Sequence, residues 1–217
     1  MPHALVGFNL AAKAVESQEG LTMTKPKQFA GLSEEHCRTA WGITRAAFEA
    51  AHGLGILNKH AGTVVVLRPD GVDVADIQPS QCVMNMLGPV WDLYGAELGL
   101  GELEITEVAK SVLFIDHIGE EADPKYTGIA LKKALLAQRA EMPTGDVHHT
   151  APWLMQPGDI LFQGGVTENG LTVGFSGVQS PWDECFSWTM ISTVQAELRM
   201  EMAEARAGDN WVVPLPS

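Results

Sequence analysis

The side chains best suited to chemistry fall in three places. His148 and His149 follow Asp146 by two and three residues. An imidazole titrates near neutral pH, so either ring is a candidate general acid or base oriented by Asp146, or an axial ligand. The spacing places both in a polar loop, where neighbouring side chains on an extended backbone point to opposite sides and do not grip one metal together. An exposed loop with two solvated histidines is the plainer alternative. Lys132-Lys133 stand with Arg139 about two turns on. Lys133 shares a helical face with Ile129 and Leu136, so it borders an apolar surface and can clamp a carboxylate. Asp183-Glu184 is a candidate acid/base or ligand-binding pair. The same two residues also fit the first turn of a helix, where free N–H groups stabilise carboxylates.

Other groupings carry less. Glu104 with Glu107, and Glu201 with Glu204, have the spacing of solvated helix faces. His117 follows Asp116 at the end of an apolar run and reads equally well as a turn histidine. Ser176 lies in G-F-S-G-V, which lacks the final glycine of a nucleophile elbow. There is no HxH, HExxH or Cys/His cluster, so no metal site is expected. Trp153, in A-P-W-L-M, and Trp182 are placed to wall an apolar or aromatic ligand.

Composition narrows the partners. The net charge is −13 and the pI about 4.8. Nucleic acid and anionic membranes both require a basic face, so neither is expected as a partner. A small anion remains compatible, because a few local donors override a global field. The cysteines Cys37, Cys82 and Cys185 form no CxxC pair, and no basic-then-apolar leader or long apolar run is present. These features suit a reduced, cytoplasmic protein.

Periodicity supplies the frame. Residues 1–31 read as an N-terminal arm that packs on another subunit, and 32–217 as one domain. Ser33–His52 is a helix, with Cys37, Ala40, Trp41, Thr44, Ala47, Phe48 and Ala51 on one face, Ser33 as N-cap and Gly53 as the C-terminal stop. Gly62–Leu67 is a strand. Val83–Leu98 is expected to be helical and broken near Gly88-Pro89. Glu102–Glu107 and Lys110–His117 are expected as strands, Gly128–Glu141 as a helix, 143–158 as a loop and Asp159–Gln163 as another strand. Asn169-Gly170 marks a hairpin turn before a strand at Leu171–Phe175. Ser180-Pro181 opens a last helix through Arg206, with Phe186, Met190, Ile191, Val194, Leu198 and Met202 on its buried stripe. The order predicts an α+β fold, an antiparallel sheet flanked by helices.

Three blocks together resemble the GlcG/HbpS family, which includes the C-terminal domain of PduO-type proteins. Leu32–Gly71 is similar to its opening helix, strand and turn. Ile129–Thr144, I-A-L-K-K-A-L-L-A-Q-R-A-E-M-P-T, resembles its I-A-x-x-K-A-x-T-A…P-T helix. Gly164–Glu184 resembles its glycine-rich ending with a D-E pair. Leu136 stands where the family often has Thr, Thr167 where it has Pro, and residues 72–125 resemble an insertion. The resemblance implies a profilin-like fold, homo-oligomers and a bound organic ligand, with haem as one possible cofactor. The expected function is binding of a carboxylate-bearing organic ligand or tetrapyrrole through Lys133, Arg139, Trp153, Asp183 and Glu184. The rival is a lyase, isomerase or hydratase acting on an unsaturated or aromatic-derived carboxylic acid. There His148 or His149 moves the proton and Lys133 or Arg139 steadies the oxyanion.

Overall fold

A computed structural model describes residues 31–69 and 72–207. The arm predicted over 1–31 lies almost wholly outside the described residues. Ten elements follow in order, besides a single 3-10 turn at Pro152–Leu154. They are α1 (Glu34–Gly53), β1 (Gly62–Leu67), α2 (Gln81–Tyr94), α3 (Ile105–Ser111), β2 (Val112–Ile118), α4 (Pro124–Ala140), α5 (Thr144–Thr150), β3 (Gly165–Glu168), β4 (Leu171–Ser176) and α6 (Ser180–Ala207). The four strands form one antiparallel sheet in the order β2-β1-β4-β3. The fold is α+β, as predicted.

Both faces of the sheet are covered, and this explains the unbroken apolar run of β1. Val64 and Val66 join a core built with α1 and α6, where Trp41, Phe48, Phe175 and Phe186 pack together. Val65 and Leu67 join the opposite core, built with α2, α3 and α4. A strand buried on both sides has no polar alternation to show. Within α1 the predicted face is buried except for Ala47, which is exposed. Ser33 is the N-cap, and its N–H donates to His36 Nδ1 at 3.1 Å, one half of a capping box. Gly53 is the last helical residue; the left-handed turn falls instead at Gly55, with φ +71°. Asn169 and Gly170 both have positive φ, and the hairpin β3–β4 closes on the pair Glu168–Leu171.

Several expectations fail for local reasons. Helix α2 runs through Pro89 instead of breaking there. Proline removes the hydrogen bond to the carbonyl of Asn85, but both residues are solvent-exposed, so water can replace that bond. The strand expected at Glu102–Glu107 is absent. Residues from Ile105 onward form α3, whose last carbonyls, Lys110 and Ser111, accept from Arg68. The loop expected over 143–158 contains α5, and the strand expected at Asp159–Gln163 joins no ladder. On α6 the predicted stripe is buried at Phe186, Met190, Ile191 and Val194 and partly buried at Leu198, whereas Met202 is exposed. The stretch 72–125, which resembles an insertion, supplies α2, α3 and the edge strand β2.

Helix α4 lies unusually close to the sheet because glycines face it. Gly165 and Gly174 are cross-strand partners. A Cβ on Gly174 would sit 2.1 Å from the carbonyl oxygen of Ala130, and one on Gly165 would sit 2.1 Å from that of Lys133. We expect Gly174→Ala to cost about 1–3 kcal/mol or more, as overpacking against backbone does. Gly42→Ala, in α1 with open space around it, should be neutral or stabilising by up to about 1 kcal/mol. Urea denaturation of the two variants checks both, and an unaffected Gly174→Ala would reject the close approach.

Candidate functional site

The close approach of α4 lets one of its side chains pass to the far layer. Lys133 is 1% exposed. Its Nζ donates to Asp183 Oδ2 of α6 at 2.7 Å and to the Phe175 carbonyl of β4 at 3.1 Å. Asp183 Oδ1 accepts from the Val178 N–H at 3.1 Å. The lysine passes beside Gly164, whose φ is +132°; a Cβ there would meet the Phe175 carbonyl, Asp183 Cβ and Lys133 Nζ, all within 3 Å. Glycine is therefore required at 164 for both conformation and space.

The surrounding bonds extend this contact into a network. Thr144 Oγ1 accepts from the N–H groups of Gly164 and Gly165 at 2.9 and 3.0 Å. Ser187 Oγ donates to the Gly164 carbonyl at 2.7 Å. Glu184 Oε2 accepts from the Gly145 N–H at 2.9 Å, which ties α5 to α6. Burial pushes the Glu184 carboxyl above its ordinary range, and the Gly145 bond partly offsets this. For the central pair, burial works against both charges. It raises Asp183 to about 6 and lowers Lys133, while their mutual attraction opposes both shifts.

Beside this pair a cleft of about 330 Å³ opens where β4 ends and α6 begins. Tyr126, Ile129 and Lys133 line it from one face of α4, and Lys125 from the first turn. Lys59, Phe162, Ser176, Gly177, Val178, Ser180 and Asp183 complete the wall. Lys59 Nζ donates to Tyr126 Oη at 2.8 Å. Lys125 pairs with Glu97 at 3.3 Å and lies over the Tyr94 ring. Lys133 and Asp183 are only the floor, since their polar atoms are spent on each other.

The remaining predicted residues lie elsewhere. His148 and His149 are on α5 rather than in a loop, and they line a neighbouring hollow of about 350 Å³ with Met155, Leu161, Gln163, Ser180 and Pro181. His148 Nε2 bonds to the Ile160 carbonyl at 3.1 Å, and His149 Nε2 accepts from Gln163 at 2.8 Å. Asp146 orients neither ring through any bond shown; its backbone carbonyl accepts from Thr150. Arg139 pairs with Asp159 at 2.5 Å and braces the 156–159 turn instead of facing the cleft. Trp153 is 77% exposed on the 3-10 turn. His117 lies on β2, paired with Thr63. Among the described residues no group of three or more His, Cys, Asp or Glu side chains converges, and no helix is long and apolar enough to cross a membrane.

Sequence reasoning missed Lys59, Lys125, Tyr126 and Phe162. Asp123-Pro124 was the available signal for the α4 residues. Asp123 is the N-cap of α4, accepting from the Lys125 N–H at 2.8 Å, with Pro124 at the first helical position. Starting the helix there would have put Tyr126, Ile129 and Lys133 on one face.

Haem does not fit the cleft. Its lining offers no imidazole, thiolate or thioether, and its phenol, Tyr126, is committed to Lys59. Compared with known proteins, the chain matches no family model, and no curated protein is significantly similar to it.

Two outcomes follow from the buried pair. Lys133→Met leaves a carboxylate stranded and should cost about 3–5 kcal/mol near neutral pH. The cost should shrink towards pH 5 as Asp183 takes up a proton. The second concerns linkage. Asp183 is raised from 3.8 to about 6, so between those values the folded chain holds a proton that the unfolded chain releases. Its contribution to stability is complete below the unfolded value and is lost as pH rises through the folded one. Wild type should therefore lose Tm relative to Asp183→Asn as pH rises from about 4 to about 6; parallel curves would reject the shift.

Proposed function

We propose that the chain is a small-molecule-binding protein of the GlcG/HbpS type, cytosolic and homo-oligomeric, whose cleft takes a small carboxylate-bearing organic ligand. The observation that carries this reading is the gathering of Lys59 and Lys125 on a cleft in a chain of net charge −13. Both lysines are exposed at the rim of the cleft, where their ammonium groups can meet a carboxylate in charge-assisted hydrogen bonds. Phe162 and Ile129 give the ligand's body an apolar wall.

The family assignment draws support from where its signature residues lie. Lys133, Thr144, Gly164-Gly165 and Asp183-Glu184 come from separate blocks of sequence and meet in one bonded network. A resemblance built from unrelated coincidences would have no reason to converge. The catalytic reading through His148 or His149 has less support. Both rings are held by other groups in the neighbouring hollow, Arg139 is held by Asp159, and Lys133 by Asp183.

Calorimetric titration of the full chain with 3-phenylpropanoate tests the proposal. Lys59→Ala and Lys125→Ala should each weaken binding about tenfold, consistent with loss of one charge-assisted contact. His148→Ala should leave it unchanged. Affinity that ignores both lysines and falls with His148 would move the site to the other hollow.

A further inference from the structure

Two large apolar side chains are held in solvent by a segment fastened at both ends. Residues 160–163 join no ladder. The Ile160 carbonyl is bonded by His148 Nε2, and the Gln163 side chain by His149 Nε2. The Arg139–Asp159 pair fixes the turn just before them. Between these ties Leu161 is 75% exposed and Phe162 is 55% exposed. Leu161 and Gln163 line the histidine hollow while Phe162 lines the cleft, so the segment is the ridge between the two. Met155 and Pro181 line the same hollow as Leu161, and the exposed Trp153 stands two residues before Met155. Fixing a segment costs conformational entropy, and the isolated chain recovers little apolar burial from this one. A partner that covers the ridge would recover it, and a surface already in shape binds at lower entropic cost.

Charge and area both point to a second copy as that partner. Within 147–163 the only Asp, Glu, Lys or Arg is Asp159, and its side chain is buried against Arg139. Two chains of net charge −13 repel each other over most of their surfaces, so a neutral face is where they can meet. Trp153, Leu161 and Phe162 together expose on the order of 400 Å², given roughly 150–250 Å² for each large side chain. A standard interface buries about 800 Å² per partner, a little over half of it non-polar. Three side chains therefore come close to the apolar area one copy must contribute. An apolar face is complementary to itself, and two-fold pairing brings the same patch of each copy together.

Building on the homo-oligomer reading, we infer that the Trp153 turn and the 160–163 ridge form a dimer face that packs on the same face of a second copy about a two-fold axis. Trp153 and Leu161 are its anchors, since a buried Trp at the centre of an interface carries a large share of the binding.

Sedimentation equilibrium of the full chain tests the assignment. Trp153→Glu and Leu161→Glu should each raise the dissociation constant at least about a hundredfold, because a two-fold interface loses each anchor twice. Met200→Glu is the control. It is 61% exposed on α6, about 30 Å along the helix from Ser180, and should leave association unchanged. All three positions are exposed, so an unaltered far-UV circular dichroism spectrum separates lost association from lost fold. An equimolar mixture of Trp153→Glu and Trp153→Lys should associate more tightly than either alone, because only a face that meets itself brings the opposite charges together. A mixture no better than its components would overturn the two-fold arrangement. An oligomer insensitive to both Trp153→Glu and Leu161→Glu would overturn the face and leave the homo-oligomer reading standing. A monomeric wild type would overturn both.

Discussion

The bond between Lys133 and Asp183 joins the two layers that the sheet separates. Lys133 starts on α4, on one face, and Asp183 starts on α6, on the other. An ion pair taken out of water is not stabilising by default, since each charge loses its hydration. Here the remaining valences are met by the Phe175 carbonyl and the Val178 N–H. The pair thereby fixes the start of α6 against the end of β4, which is also the mouth of the cleft. Gly164, Gly165 and Gly174 follow from the same requirement. Any side chain at these positions would lift α4 from the sheet or block the lysine's path.

This commitment changes how the site can work. A lysine that is 1% exposed and shares its proton donors with a carboxylate and a carbonyl is a poor clamp for a ligand. On the proposed carboxylate reading the charge comes from residues the network does not use, Lys59 and Lys125. They sit at the rim, where water can reach them, so their attraction is weaker per contact and more sensitive to salt than a buried contact would be. In a chain this acidic they still mark out a local exception to the overall field.

Much of the frame was legible in sequence because it depends on local patterning. The stripe of α1, the unbroken apolar run of β1 and the Asn169-Gly170 turn each reflect a short-range rule. What escaped depended on distant context. Pro89 reads as a breaker unless one knows that its side of α2 faces water. Ile105–Ser111 is short and reads as a strand until Arg68 is seen capping its end. Thr144–Thr150 reads as a loop because Pro143 stops the preceding helix, yet Glu184 and Thr144 anchor a new helical start immediately after it. Lys133 and Asp183 were both singled out, but their partnership spans a sequence separation that no periodicity reports.

The residues that carry the resemblance and the residues that line the cleft answer to different constraints. Lys133, Thr144, Gly164-Gly165 and Asp183 hold layers together, so any one of them can change only if its neighbours change too. Lys59, Lys125, Tyr126 and Phe162 stand around open space and can be exchanged without disturbing the core. Substitution at the rim would change the lining of the cleft while the buried network, and with it the resemblance, persisted. The signature blocks are therefore a guide to where the cleft lies. The chemistry within it has to be read from the side chains that the signature leaves out.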